Sequence, residues 1–136
     1  MEISSDVQYM AVTIYHEARG EPQQCQMLVA KVVRNRMDDA NKTAKQVVRE
    51  RGQFSWAPIL RGKTIRTEYE KILKSASYDD KKAMNKAVLL SSRVLQPGYD
   101  TGNNLRYFHS HKGYRYDVKC GNLYFSQTYR KTGKRR

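Results

Sequence analysis

At 136 residues the chain has the size of one domain, long enough to bury roughly two thirds of its unfolded surface without metal or disulfide staples. No apolar run reaches the length of about 18 residues that a bilayer requires, and the opening Met1-Glu2-Ile3-Ser4-Ser5-Asp6 is polar and acidic, so neither a membrane span nor a secretory leader is expected. The formal net charge of +13 is unevenly spread: from Leu105 onward nine Lys or Arg face Asp117 alone, while the first 104 residues hold 17 basic and 12 acidic side chains.

In chain order, Val7, Met10, Ala11, Ile14 and Ala18 recur at helical spacing and predict a helix over 6–18, with Ser5 and Gln8 spaced as a capping box. The turn Arg19-Gly20-Glu21 leads to Pro22, which suits a first helical position, and a second helix carries Cys25, Leu28, Val29, Val32, Val33 and Arg36 on one stripe to Met37. Thr43 and Gln46 predict a short third helix with Val47 and Val48 inside and Gly52 as its C-terminal cap. After the irregular segment Gln53-Phe54-Ser55-Trp56, a helix is expected over 65–76 with Tyr69, Ile72, Leu73 and Ala76 inward. Asp79 or Asp80 can cap the next helix, which runs through Ala83, Met84, Ala87, Val88 and Val94 to Leu95 before Gln96-Pro97-Gly98 ends it. Leu105–His109, Tyr114–Val118 and Leu123–Phe125 have strand composition, with a turn at Gly113 between the first two. The expected fold class is α+β, mainly α-helical with a small β-hairpin or sheet.

Cys25 and Cys120 are able to pair, but their spacing does not decide it, and Cys25 on its apolar stripe reads as a small core residue. His16, His109 and His111 lack metal-ligand spacing, so neither a metal nor a cofactor is expected.

Glu17 is the residue with the most chemical promise. It stands in the last turn of the first helix, three residues from Ile14 and seven from Met10, which puts it on the flank of the buried stripe. Desolvation there raises a carboxyl pKa and keeps the proton available for a leaving oxygen. The competing reading is a solvated helix-end glutamate. His16, about 100° round the helix, and Arg19, about 200° round, are expected to point away, with Glu21 as the partner of Arg19. In Gln53-Phe54-Ser55-Trp56, an amide, a hydroxyl and two rings could hold a sugar, whose C–H faces are edged with hydroxyls. The alternative is that Phe54 and Trp56 plug a helix junction.

The run Ile14-Tyr15-His16-Glu17-Ala18-Arg19-Gly20-Glu21-Pro22, followed by Gln26 and by Asn35-Arg36, resembles the SleB-type cell wall hydrolase family, which includes spore cortex-lytic enzymes and phage lysins. Gly52-Gln53-Phe54-Ser55 resembles the Gly-Gln-Phe loop of that family, Asn104-Leu105-Arg106-Tyr107-Phe108-His109 its strand ending in Tyr-Phe-His, and Gly121-Asn122 the start of its closing strand. The chain departs at Leu123, where the family has histidine, and at Cys25, where it has glycine.

The resemblance implies a lysozyme-like, lytic transglycosylase-like domain over 1–129, followed by a basic tail over 130–136. It implies a peptidoglycan hydrolase that cuts between MurNAc and GlcNAc, as a lytic transglycosylase or a muramidase, with Glu17 as the catalytic acid. Gln53, Phe54, Ser55, Tyr107 and His109 would then bind substrate. A glycosidase that works through two carboxylates needs a second acid across the scissile bond. Glu21 is too close in sequence, and Asp38, Asp39, Asp100 and Asp117 fall in turns or hairpins, so chemistry with one carboxylate fits better.

The expected partners are peptidoglycan glycan strands, with anionic cell-envelope polymers attracted by the basic C-terminal third, and the chain is expected to act as a monomer. Without a leader, a phage lysin released through holin pores or carried on the particle is one expectation, and a trimmed signal sequence is another. Two rival readings are a catalytically dead wall-binding protein and a basic nucleic-acid-binding module. The second draws on the net charge and on the tyrosines among Lys and Arg at Tyr107, Tyr114, Tyr116, Tyr124 and Tyr129, but it lacks a recognised motif.

Overall fold

The computed structural model describes residues 3–50, 53–75, 77–110, 113 and 115–128. The expected cap Gly52, the inward Ala76, His111, Tyr114 and the tail over 130–136 lie outside the described residues.

Helix α1 (Ser5–Ala18) occupies the centre of the molecule. Gln8 through Tyr15 are all buried, because α2 (Gln23–Ala40), α3 (Ala44–Val48), α4 (Ile65–Ser75) and α5 (Tyr78–Val94) all pack against it. A helix enclosed in this way needs no wet face over its middle turns, which corrects the simple amphipathic picture. Its cap is Ser4, whose hydroxyl accepts from the Val7 amide at 3.2 Å, and the Gln8 amide donates to the Ile3 carbonyl at 2.9 Å. The expected Ser5–Gln8 box does not form: the cap is Ser4, and the residue three further on is Val7, whose side chain has no polar atom to return the bond.

Pro22 is the N-cap of α2, and Asn41, in the left-handed region at φ 53°, ends it. The capping box of α3 forms as expected between Thr43 and Gln46. Ser77, and neither Asp79 nor Asp80, caps α5: its hydroxyl accepts from the Asp80 amide at 3.2 Å. A serine hydroxyl one residue before the helix takes the position that an aspartate inside the first turn cannot.

Three short strands, β1 (Tyr107–His109), β2 (Val118–Cys120) and β3 (Leu123–Ser126), form an antiparallel sheet in the order β1-β3-β2. Phe125 stands opposite both Phe108 and Val118. The tight hairpin is therefore β2–β3, turning at Gly121-Asn122, and β3 lies between β1 and β2. Gly121 has φ 58°, a conformation that favours glycine, and a Cβ there would push the Glu21 carboxylate from its place.

Two bonds fasten this hairpin to the start of α2. Glu21 Oε1 accepts from the Asn122 amide at 3.0 Å, and Cys25 is disulfide-bonded to Cys120. Cys25 is fully buried, as a core residue would be, but it is a cross-link. Asn35 fastens the other end of the sheet: its amide donates to the Leu105 carbonyl at 2.9 Å, and its Oδ1 accepts from Thr101 Oγ1 at 2.6 Å. The molecule is thus a mainly helical α+β domain with its sheet tied to α2 at two points.

Candidate functional site

Those ties hold β1 opposite the C-terminal turn of α1, and a cleft of about 660 Å³ lies between them. Glu17, Gln53, Phe54, Ser55, Tyr107 and His109, the six residues singled out in the sequence, all line it.

Glu17 is partly buried, and its Oε2 accepts from Ser55 Oγ at 3.3 Å. Burial raises the carboxyl above its ordinary range, and the Ser55 hydrogen bond opposes this with a smaller effect. Among the described residues no charged side chain contributes to the shift. The two basic side chains near Glu17 in sequence, His16 and Arg19, are engaged elsewhere. His16 Nε2 lies 2.9 Å from Glu68 Oε2, and its ring stacks on Trp56 at 5.2 Å. The Arg19 guanidinium lies over the Tyr15 ring and donates to Asp80 Oδ1 at 2.8 Å. The expected Arg19–Glu21 pair does not form, because Glu21 is committed to Asn122.

The segment 53–56 alternates along the chain. Phe54 and Trp56 point inward at 5% and 4% exposure, while Gln53 and Ser55 are exposed. Trp56 Nε1 donates to Thr13 Oγ1 at 3.2 Å, and Phe54 meets Phe108 edge-on at 5.9 Å. The rings plug a helix junction, and in doing so they present the amide and the hydroxyl to the cleft. The plug reading describes Phe54 and Trp56, and Gln53 and Ser55 face the cleft.

Arg36 is a cleft residue that the periodicity placed only on a helix stripe. Its guanidinium stands 5.1 Å from the Tyr107 ring and 5.8 Å from the Phe54 ring, and donates to Gln53 Oε1 at 3.0 Å. It thereby braces three of the expected binding residues. Arg49, Glu50 and Arg61 also line the cleft, and none of them carried a sequence signal beyond charge.

Glu50 is the second carboxylate on the wall, and it is occupied: it pairs with Arg36 and accepts from Lys42 Nζ at 2.8 Å. Burial alone would raise its pKa, but the Lys42 hydrogen bond and the charges of Arg36 and Lys42 outweigh that and leave it lowered. The other acids considered have structural duties. Asp38 pairs with Arg34, Asp39 with Arg106, Asp100 accepts from the Gly102 amide, and Asp117 accepts from the Gln127 amide. Leu123, at the position of the family histidine, lines the cleft with an apolar side chain.

Among the described residues no group of three or more His, Cys, Asp or Glu gathers at metal-ligand spacing, and no helix is long and apolar enough to cross a membrane. Neither curated proteins nor solved structures give a match. The family model described as Cell Wall Hydrolase matches residues 20–133, most of the chain, beginning just after Glu17. The chain therefore belongs to the SleB-type cell wall hydrolase family, and its role is that of a peptidoglycan hydrolase.

Proposed function

We propose that the cleft cuts the MurNAc-β-1,4-GlcNAc bond by lytic transglycosylation, with Glu17 as the only carboxyl that moves protons. The observation that carries this reading is the contrast between the two cleft carboxyls. Glu17 is desolvated with one neutral donor beside it, and Glu50 is neutralised by two cations. A carboxyl that keeps its proton toward neutral pH suits general acid catalysis.

Protonated Glu17 gives its proton to the glycosidic oxygen as the bond from C1 breaks. The acetamido oxygen of the MurNAc residue stabilises the positive charge that develops at C1, so the protein supplies no nucleophile. The Glu17 carboxylate then takes the proton from the C6 hydroxyl, whose oxygen closes on C1. The products are a 1,6-anhydroMurNAc end and a free GlcNAc hydroxyl, and no water is consumed. Gln53, Ser55, Tyr107 and His109 offer the hydrogen-bonding groups that hold acetamido and hydroxyl groups against the acid.

A disulfide between Cys25 and Cys120 fits a lysin that works outside the reducing cytoplasm. Mass spectrometry of fragments released from purified sacculi tests the mechanism. Anhydro ends are expected, and reducing ends, heavier by one water, would assign a hydrolytic muramidase instead. Binding to sacculi without any soluble fragments would mark a non-catalytic wall binder.

A further inference from the structure

The cleft carries more positive charge than its own acids neutralise. Among the described residues three guanidiniums line it, those of Arg36, Arg49 and Arg61, against the two carboxylates of Glu17 and Glu50. Glu50 is shared between Arg36 and Lys42, so that group of three retains one positive charge. Arg49 spends its hydrogen bonds on neutral acceptors, the Tyr9 hydroxyl at 2.9 Å and the Lys63 carbonyl at 3.1 Å. Among the described residues no acid pairs with it. Arg61 is exposed at the end of the 3-10 turn Ala57–Leu60 and has no acidic partner among the described residues. The Arg49 bond to Lys63 brings the end of α3 against the stretch just after Arg61, so the two guanidiniums belong to one part of the wall.

A neutral glycan would gain nothing from these cations, and cations next to the acid would strip its proton. Among the described residues no cation enters the Glu17 shift, which burial dominates. A guanidinium fork matches a carboxylate in a way that it does not match a sugar hydroxyl.

We infer that Arg49 and Arg61 recognise carboxylates attached to the glycan, so that the cleft selects acidic strands over neutral ones. This inference rests on the reading of the cleft as a glycan site. The carboxylate can come from the lactyl group of a bare MurNAc residue or from the stem peptide, and both present the same fork-shaped acceptor.

The test uses the full chain carrying Glu17→Gln, which leaves strands uncut, and measures equilibrium binding to three soluble probes. These are stem-bearing strands, strands trimmed by an amidase so that only lactyl carboxylates remain, and stem-bearing strands whose carboxylates are capped as glycinamides. Capping is expected to weaken binding about tenfold. Adding Arg61→Gln is expected to produce the same loss on uncapped strands and none on capped ones. Lys86→Gln, which removes one exposed charge from α5, is expected to leave affinity unchanged. Trimmed strands that bind more tightly than stem-bearing ones identify the lactyl group, whose carboxyl the stem otherwise occupies as an amide; trimmed strands that bind less tightly identify the stem, and equal binding means that the guanidiniums accept either carboxylate.

Equal binding of capped and uncapped strands overturns the inference. So does an equal loss from Lys86→Gln, which would reduce the effect to the general field of the protein. Fragment release by the wild-type chain is a separate readout, so a failure of catalysis and a failure of carboxylate recognition are distinguishable.

Discussion

The two sides of the last turn of α1 hold a glutamate each, in opposite circumstances. On one side Glu17 faces an open cleft with a serine hydroxyl beside it. On the other, Glu68 is 4% exposed and held by His16, which in turn lies on Trp56. Adjacent residues, His16 and Glu17, serve the two sides. The comparison teaches that burial alone does not make an acid useful. Glu68 is tied to a histidine beside a smaller cavity of about 350 Å³, whereas Glu17 has a neutral hydroxyl beside it and the larger cleft before it.

Exchanging acid for amide at Glu17 is expected to have the largest effect. Glu17→Gln is expected to cut fragment release from purified peptidoglycan by at least about 10³-fold, with thermal stability unchanged or slightly raised because a desolvated ionisable group is removed. Wild-type turnover in this variant would remove the assignment. The far wall of the cleft depends on the bond between Cys25 and Cys120, which closes a separation of 95 residues. Replacing both by serine is expected to lower stability by roughly 3–5 kcal/mol, read as a lower urea midpoint.

Glu68→Ala should show the reverse of Glu17→Gln. It strands His16 beneath Trp56 and is expected to cost about 2–3 kcal/mol, while the folded protein keeps most of its activity at low temperature. Equal losses of activity in the two variants would mean that the sides are not separate in function.

The pH dependence sharpens the contrast further. Because burial raises the pKa of Glu17, the native state binds that proton more tightly than the unfolded chain does. Between the ordinary carboxylate value and the raised one the unfolded state holds fewer protons, so this group makes stability fall as pH climbs through that window. Glu17→Gln is expected to flatten that slope in denaturation curves. Activity, which needs the protonated form first, is expected to decline as pH rises through the raised pKa. Glu50 behaves in the opposite sense: with its pKa lowered, it contributes stability above the ordinary carboxylate value and loses it as pH falls through the lowered one.

The smallest effect belongs to Ser55→Ala. Its hydrogen bond lowers the pKa of Glu17, so its removal is expected to move the alkaline limb of the pH–rate profile upward. The rate at the optimum should fall only about three- to tenfold.

Much of the site was legible because it is built from local patterns. Helical spacing placed Glu17 on the flank of a buried stripe and turned His16 and Arg19 away from it, and all of these follow from the rotation of one helix. The alternation of Gln53, Phe54, Ser55 and Trp56 carried both a plug and a polar face. What spacing left undecided was which side chains from distant segments meet. Arg19 took Asp80 in place of Glu21, and Arg36 reached Gln53 and Tyr107 from a helix stripe. Ser4 took the cap expected of Ser5 because an N-cap depends on one backbone step that composition does not resolve.

By itself, the sequence determined the helices, the strand-rich end, the acid at a helix terminus and, through the order of its motifs, the family. These rest on periodicity and turn chemistry, which act over a few residues. The tertiary structure decided that α1 lies at the centre, that the hairpin is β2–β3, that Cys25 and Cys120 are joined, and that one of two cleft carboxyls is left uncompensated. Each of these depends on which groups share a few ångströms of space after the chain has closed on itself, and a charge or thiol carries no local mark of its eventual neighbour.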